Sequence, residues 1–214
     1  MGTDPDRHIN RIEQLKAALD IRWATVDGLH VAPPRRLTGP GLLWEAPGAV
    51  IDVLAEDSDP DAVRRLWEKH ARRVLDAVGW SDQKLICRVF KGGVSLALSA
   101  PMDQLYSATF LAKTAWHYCA ADLSHTASLP FQDMIRDLLR VMEQEANPPL
   151  IALMSAAAAH DVDFLCDDEE VSIGHGVGAQ IWPVDRLPAP EQVNWSALHD
   201  VPIALITGTN GKTT

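Results

Sequence analysis

The sequence predicts an α+β domain of antiparallel strand pairs and a group of helices, followed by the first strand and phosphate loop of an α/β domain. Three observations carry that expectation. Lys91-Gly92-Gly93 sits between two runs rich in β-formers, which is a hairpin signal. Apolar residues recur at helical spacing in several stretches between Ser58 and His160. The chain then closes on an apolar run, Ile203-Ala204-Leu205-Ile206, that breaks into Thr207-Gly208-Thr209-Asn210-Gly211-Lys212-Thr213-Thr214.

In chain order, residues 1–36 read as an N-terminal helix and a connector. Thr3 and Asp4 are cap candidates, Ile9, Ile12, Leu15 and Leu19 share one face, and Pro33-Pro34-Arg35-Arg36 follows. The main domain is expected over 37–182. Leu42-Leu43-Trp44 and Ala49 to Leu54 read as strands around a Pro47-Gly48 turn. Ser58-Asp59-Pro60 opens a helix with Val63, Leu66, Trp67, His70, Val74 and Leu75 along one face. Lys84–Phe90 and Val94–Ser99 flank the glycine turn.

Helices are then expected over 103–121, 131–145 and from Pro148 to about His160. Short strands at 163–166, 171–173 and 180–182 come next. Residues 183–200, rich in proline and without periodicity, read as a linker to a domain that begins at 201.

Bulk properties bound the function. Hydrophobic residues are 47% and charged residues 22%, which is ordinary for a chain with a sizeable core. A net charge of −10 argues against general binding to nucleic acid or to an anionic membrane. Cys87, Cys119 and Cys166 form no CxxC pair and fit reduced thiols of a cytoplasmic protein. No signal peptide is evident at the N-terminus, and the uncharged stretch 147–160 is too short to span a bilayer.

The chemistry sits at the C-terminus. A strand that breaks into a glycine-rich turn ending in Gly-Lys-Thr points the backbone N–H groups of Gly208, Thr209, Asn210 and Gly211 at a nucleotide's phosphates. Lys212 is then the catalytic cation on the β/γ-phosphates, Thr213 offers its hydroxyl to Mg²⁺, and Thr214 completes the loop. The spacing between Gly208 and Gly211 is shorter than in the general phosphate-loop pattern.

Other strings carry weaker signals. Gly174-His175-Gly176-Val177-Gly178-Ala179 matches a dinucleotide fingerprint, but Gln180-Ile181-Trp182-Pro183 cannot open the helix that fingerprint needs. A turn between strands is the better account, with His175 solvated. Asp167-Asp168-Glu169-Glu170 lacks the alternation of a calcium loop and reads as a solvated turn. Arg65, Lys69, Arg72 and Arg73 form either the wet side of the 60–77 helix or a dock for an acidic peptide.

The compact wording Thr-Gly-Thr-Asn-Gly-Lys-Thr-Thr resembles the opening of the ATP-binding central domain in the Mur ligase superfamily. Leu37-Thr38-Gly39-Pro40-Gly41-Leu42-Leu43-Trp44, Leu129-Pro130-Phe131 and Val171-Ser172-Ile173-Gly174-His175-Gly176 resemble, in order, segments of cyanophycin synthetase N-terminal domains. Gly41-Leu42 stands where that family usually has Asn. The ATP-grasp domain of that family does not fit between 183 and 202.

The resemblance implies an ATP- and Mg²⁺-dependent ligase, with a carboxylate-bearing peptide or amino acid and an amine as substrates. It also implies an N-terminal fragment, inactive by itself, whose assembly state stays open. Two alternatives remain: a non-catalytic module for an acidic peptide, polymer or partner protein, and an unrelated P-loop NTPase.

Overall fold

Strand β3 (Gly48–Leu54) is the spine of the larger sheet, because it is paired along both of its edges. The computed structural model describes residues 25–202, apart from positions 40, 42, 56 and 57. Within them the chain is α+β and groups into two compact units, one ending at Asn147 and the other starting at Pro148. That boundary falls inside the 37–182 stretch that the sequence suggests as one domain.

In the first unit, β3 pairs antiparallel with β5 (Gly93–Ser99), and β5 pairs antiparallel with β4 (Leu85–Phe90). Helix α1 (Pro60–Ala77) connects β3 to β4, which run the same way with β5 between them, a split βαβ arrangement. On the other edge of β3 lie β1 (His30–Val31) and β2 (Arg35–Leu37). Val31 pairs with Val53 and Arg35 with Val50, so Ala32, Pro33 and Pro34 oppose only Ile51 and Asp52. This is a bulged edge strand, and proline is tolerated there because an edge residue need not donate to the ladder. Of Pro33 to Arg36, which read as a connector in sequence, Arg35 and Arg36 therefore belong to the sheet and the two prolines form its bulge. Leu43 and Trp44 are not in a strand; the Gly41 N–H closes instead on the Trp44 carbonyl at 2.9 Å.

Register decides which face is core. Ala49, Ile51 and Val53 on β3 stand opposite Leu98, Leu96 and Val94 on β5, and all six are fully buried. Helices α1 and α2 (Leu105–Ser124) cover this face. Asp59 caps α1 by accepting from the Asp61 N–H at 2.9 Å, and Pro60 occupies the first turn, where its missing N–H costs nothing. The α1 stripe of Val63, Trp67, Ala71, Val74 and Leu75 is at most 1% exposed. The Trp67 indole N–H points to the Ala112 carbonyl of α2 at 3.4 Å.

The β4–β5 turn is Lys91-Gly92, with Phe90 already paired to Gly93. Gly92 supplies the positive φ, +81°. Gly93 is required for space instead, since a Cβ there would stand 2.7 Å from the Phe90 ring.

Helix α2 has no capping side chain of its own. Glu145, the last residue of α3 (Phe131–Glu145), supplies the cap from across the fold. Its carboxylate accepts from the Tyr106 and Ser107 N–H groups at 2.7 and 2.6 Å and from the Ser107 hydroxyl at 2.5 Å. In return the Gln104 amide donates to the Met142 carbonyl of α3 at 2.8 Å. Two helix ends that would each leave backbone groups unpaired thus satisfy one another.

The second unit is smaller. Helix α4 (Pro148–Ala159) precedes a three-stranded antiparallel sheet of β6 (Phe164–Cys166), β7 (Glu170–Ile173) and β8 (Gln180–Pro183). Leu150, Leu153, Ala157, Val171, Ile173, Val193 and Leu198 are its buried apolar residues among those described. Residues 183–200 are folded onto this unit by two 3-10 turns. Trp195 stacks on His160 with ring centroids 4.5 Å apart, and its indole N–H donates to the Pro190 carbonyl at 2.9 Å. No helix of the described residues is long and apolar enough to cross a membrane.

Candidate functional site

The phosphate-loop residues Gly208, Thr209, Asn210, Gly211, Lys212, Thr213 and Thr214 lie outside the described residues. What the structure does place is the segment leading to them. The His175 N–H donates to the His199 carbonyl, and the His199 N–H donates to the Gly178 carbonyl, both at 3.2 Å. Chain and turn approach so closely that side chains are excluded. A Cβ on Gly174, whose φ is +78°, would meet the Gly178 oxygen at 2.6 Å and the His199 oxygen at 2.9 Å. The string 174–179 is thus a turn between β7 and β8 that clasps residue 199, and a strand rather than a helix follows it.

That clasp gathers three polar side chains from distant parts of the second unit. His175 Nε2 lies 3.7 Å from Asp163 Oδ2, and its Nδ1 lies 3.5 Å from Asp200 Oδ1. Asp200 also accepts from the Asp163 N–H at 3.0 Å. The His175 side chain is only 16% exposed, so it is not the solvated turn residue that its sequence context suggests. These three are the group among the described residues with the chemistry of a cation site. The two carboxylates nevertheless face opposite ring nitrogens, at ion-pair rather than hydrogen-bond distances. The acidic run 167–170 is separate from it. Asp167 accepts from the Glu169 and Glu170 N–H groups at 2.8 Å each, which makes it a local turn.

The basic face of α1 is committed internally. Arg65 pairs with Asp59 and Lys69 with Asp122, while Arg72 donates to the Ser81 and Gln83 carbonyls. The Arg73 guanidinium lies 3.7 Å over the Phe131 ring. Its neighbour Leu129 accepts from the Tyr118 hydroxyl and donates to His117 Nε2. The Leu129-Pro130-Phe131 phrase therefore locks the turn between α2 and α3. An acidic peptide would have to displace these partners to bind α1.

The thiol environments disfavour the nucleophilic thiolate. Burial pushes Cys87 and Cys119 up to about 12 and Cys166 up to about 11, so thiolate is scarce at neutral pH.

The second face of the larger sheet holds a groove of about 650 Å³. Its floor is built on β5, whose residues on this face are Gly93, Ser95 and Ala97, all small. Asp52, Ser95 and Arg88 stand side by side across three strands. Leu54 and Phe90 flank Gly93 at one end, and residues of the 39–44 segment line the groove as well. Arg35 pairs with Asp52, whose other oxygen accepts from the Ser95 hydroxyl at 2.6 Å. This site was invisible in sequence, because register alone brings Arg35, Asp52, Arg88 and Ser95 together.

No protein-family model matches the chain, and no curated protein matches it in sequence.

Proposed function

We propose that this chain belongs to an ATP-dependent carboxylate–amine ligase and that residues 207–214 are its phosphate loop. The observation that carries the proposal is the octet Thr207 to Thr214 directly after the apolar run 203–206. Its donor set suits a magnesium nucleotide: three kinds of group, backbone N–H, ammonium and hydroxyl, arrive within eight residues. The resemblance to the Mur ligase superfamily supplies the reaction class. The α+β fold ahead of the loop and the anchoring of His199 are compatible with it.

In this reading a substrate carboxylate attacks the γ-phosphoryl group, giving an acyl phosphate and ADP. An amine then attacks the acyl carbon, the C–O bond to phosphate breaks, and an amide and inorganic phosphate leave. The chain's own groups act on charge. Lys212 and the loop N–H groups offset the negative charge that moves onto the transferred phosphoryl oxygens. The Thr213 hydroxyl would hold Mg²⁺, whose charge would offset that of the nucleotide's phosphates.

The test is phosphate release by the natural gene product containing these residues, screened with amino acids and short acidic peptides as carboxylate and amine. Release is expected only when both are present. Lys212→Met should lower it by about a hundredfold or more, the loss typical when one preorganised charge stabiliser is removed. Release without any acceptor, equally sensitive to Lys212→Met, would favour a plain P-loop NTPase. ATP-independent behaviour throughout would leave only a binding role.

A further inference from the structure

We infer that the groove on the outer face of the larger sheet binds a small carboxylic acid with an apolar body, its carboxylate on Arg88. The site stands on residues 25–147 alone and does not depend on the ligase reading.

Charge selects the ligand. Asp52 is already satisfied, by Arg35 on one oxygen and by the Ser95 hydroxyl on the other. Arg88, one position across from Ser95 in register, makes no hydrogen bond or ion pair among the described residues. Among the described lining residues the groove therefore holds two guanidinium groups against one carboxylate, a surplus of a single positive charge. A planar guanidinium takes a carboxylate through two parallel N–H bonds. Trp44 lines the same space, and its buried indole N–H has no partner among the described residues.

Shape selects the rest of the molecule. The polar row of Asp52, Ser95 and Arg88 lies between two apolar rows. One is Leu54 and Phe90, which are 43% and 36% exposed, and the other is Val50 with Ala97. Leu37 and Leu43 extend the apolar wall. A volume of about 650 Å³ falls within the range of small-molecule sites. A phosphate dianion fits less well, since one cation is free among the described lining residues and the walls are apolar. A second copy of the chain fits less well too, because a twofold contact sets a patch against itself and would oppose the surplus charges.

Isothermal titration of the full 214-residue chain with phenylacetate and hexanoate, and with their neutral amides, tests this directly. The acids should bind with one-to-one saturation and the amides about tenfold or more weaker, the value of a charge-assisted pair. Arg88→Gln should remove that preference, so that acid and amide bind alike, and Arg88→Lys should restore part of it. Leu54→Asn should weaken both forms together. Wild-type protein that binds acid and amide equally would overturn the inference. So would absence of saturation below about 10 mM, far into the weak-binding range. Inorganic phosphate competing as well as phenylacetate would also overturn it, as would concentration-dependent dimerisation abolished by Arg88→Glu. The acid–amide comparison on unaltered protein decides the matter even if a variant fails to fold.

Discussion

The two units of this chain hold themselves together by different means. The first fills a face-to-face space with volume: Trp67, Trp116, Ile51, Leu96, Leu98 and Leu111 are all below 2% exposed. The second has few buried apolar residues, and leaves Val177 95% exposed and Ile181 56% exposed. It relies instead on backbone approaching backbone around Gly174 and Gly178, and on His175 lying between Asp163 and Asp200. The first design resists loss of methylene groups poorly and surface change well. The second resists neither an added methyl at a glycine nor loss of a single carboxylate.

Substitutions that attack each design should separate them. Trp67→Ala removes the largest buried side chain of the α1 stripe and should cost about 3–5 kcal/mol by denaturant unfolding of the first unit.

Glu145→Ala strips the borrowed cap from α2 and should cost about 2–3 kcal/mol, with Glu145→Gln recovering part because an amide oxygen still accepts. The same residue sets a pH dependence. Burial raises the Glu145 carboxyl above its usual value near 4.5, although its hydrogen bonds to Ser107 and Tyr106 oppose this. The folded state then keeps a proton that the unfolded chain has lost. Its contribution to stability therefore falls as pH rises from about 4.5 through the folded value, and Glu145→Gln should flatten that slope.

In the second unit, Gly174→Ala places a methyl group against two carbonyl oxygens at a left-handed φ and should cost roughly 1–2 kcal/mol. Hydrogen exchange at the His175 and His199 amides is the readout, because those bonds open first. The smallest effect is chemical. Cys87, Cys119 and Cys166 should react with a thiol reagent at pH 7–8 far more slowly in native than in unfolded protein, since burial pushes their thiols well above the ordinary cysteine range.

Local signals carried much of the fold. The Asp59-Pro60 start of α1, the Lys91-Gly92-Gly93 hairpin, the 131–145 helix and the three short strands of the second unit are all visible as periodicity plus punctuation. The bulged edge strand was hidden by its own prolines, whose presence argues for a connector unless the edge position is known. The proline-rich stretch 183–200 misleads in the same way, because Trp195 and its stacking partner His160 are brought together by the fold and not by any pattern.

The sites divide similarly. A phosphate loop is contiguous and can be read as a string. The sheet groove and the Glu145 cap join residues about forty positions apart and exist only once register and helix packing are set. Asp163, His175 and Asp200 are equally scattered, and His175 in sequence looks like any turn histidine.

A carboxylate activated at the Thr207–Thr214 loop leaves an isotopic trace in the phosphate it releases. The direct measurement labels the substrate carboxylate of the natural gene product with ¹⁸O and follows the label by mass spectrometry of the released phosphate. An acyl phosphate requires one labelled oxygen to leave with phosphate for each amide formed, and the transfer should vanish in Lys212→Met. Amide formation with unlabelled phosphate, or phosphate release without label in the absence of amine, would contradict the account.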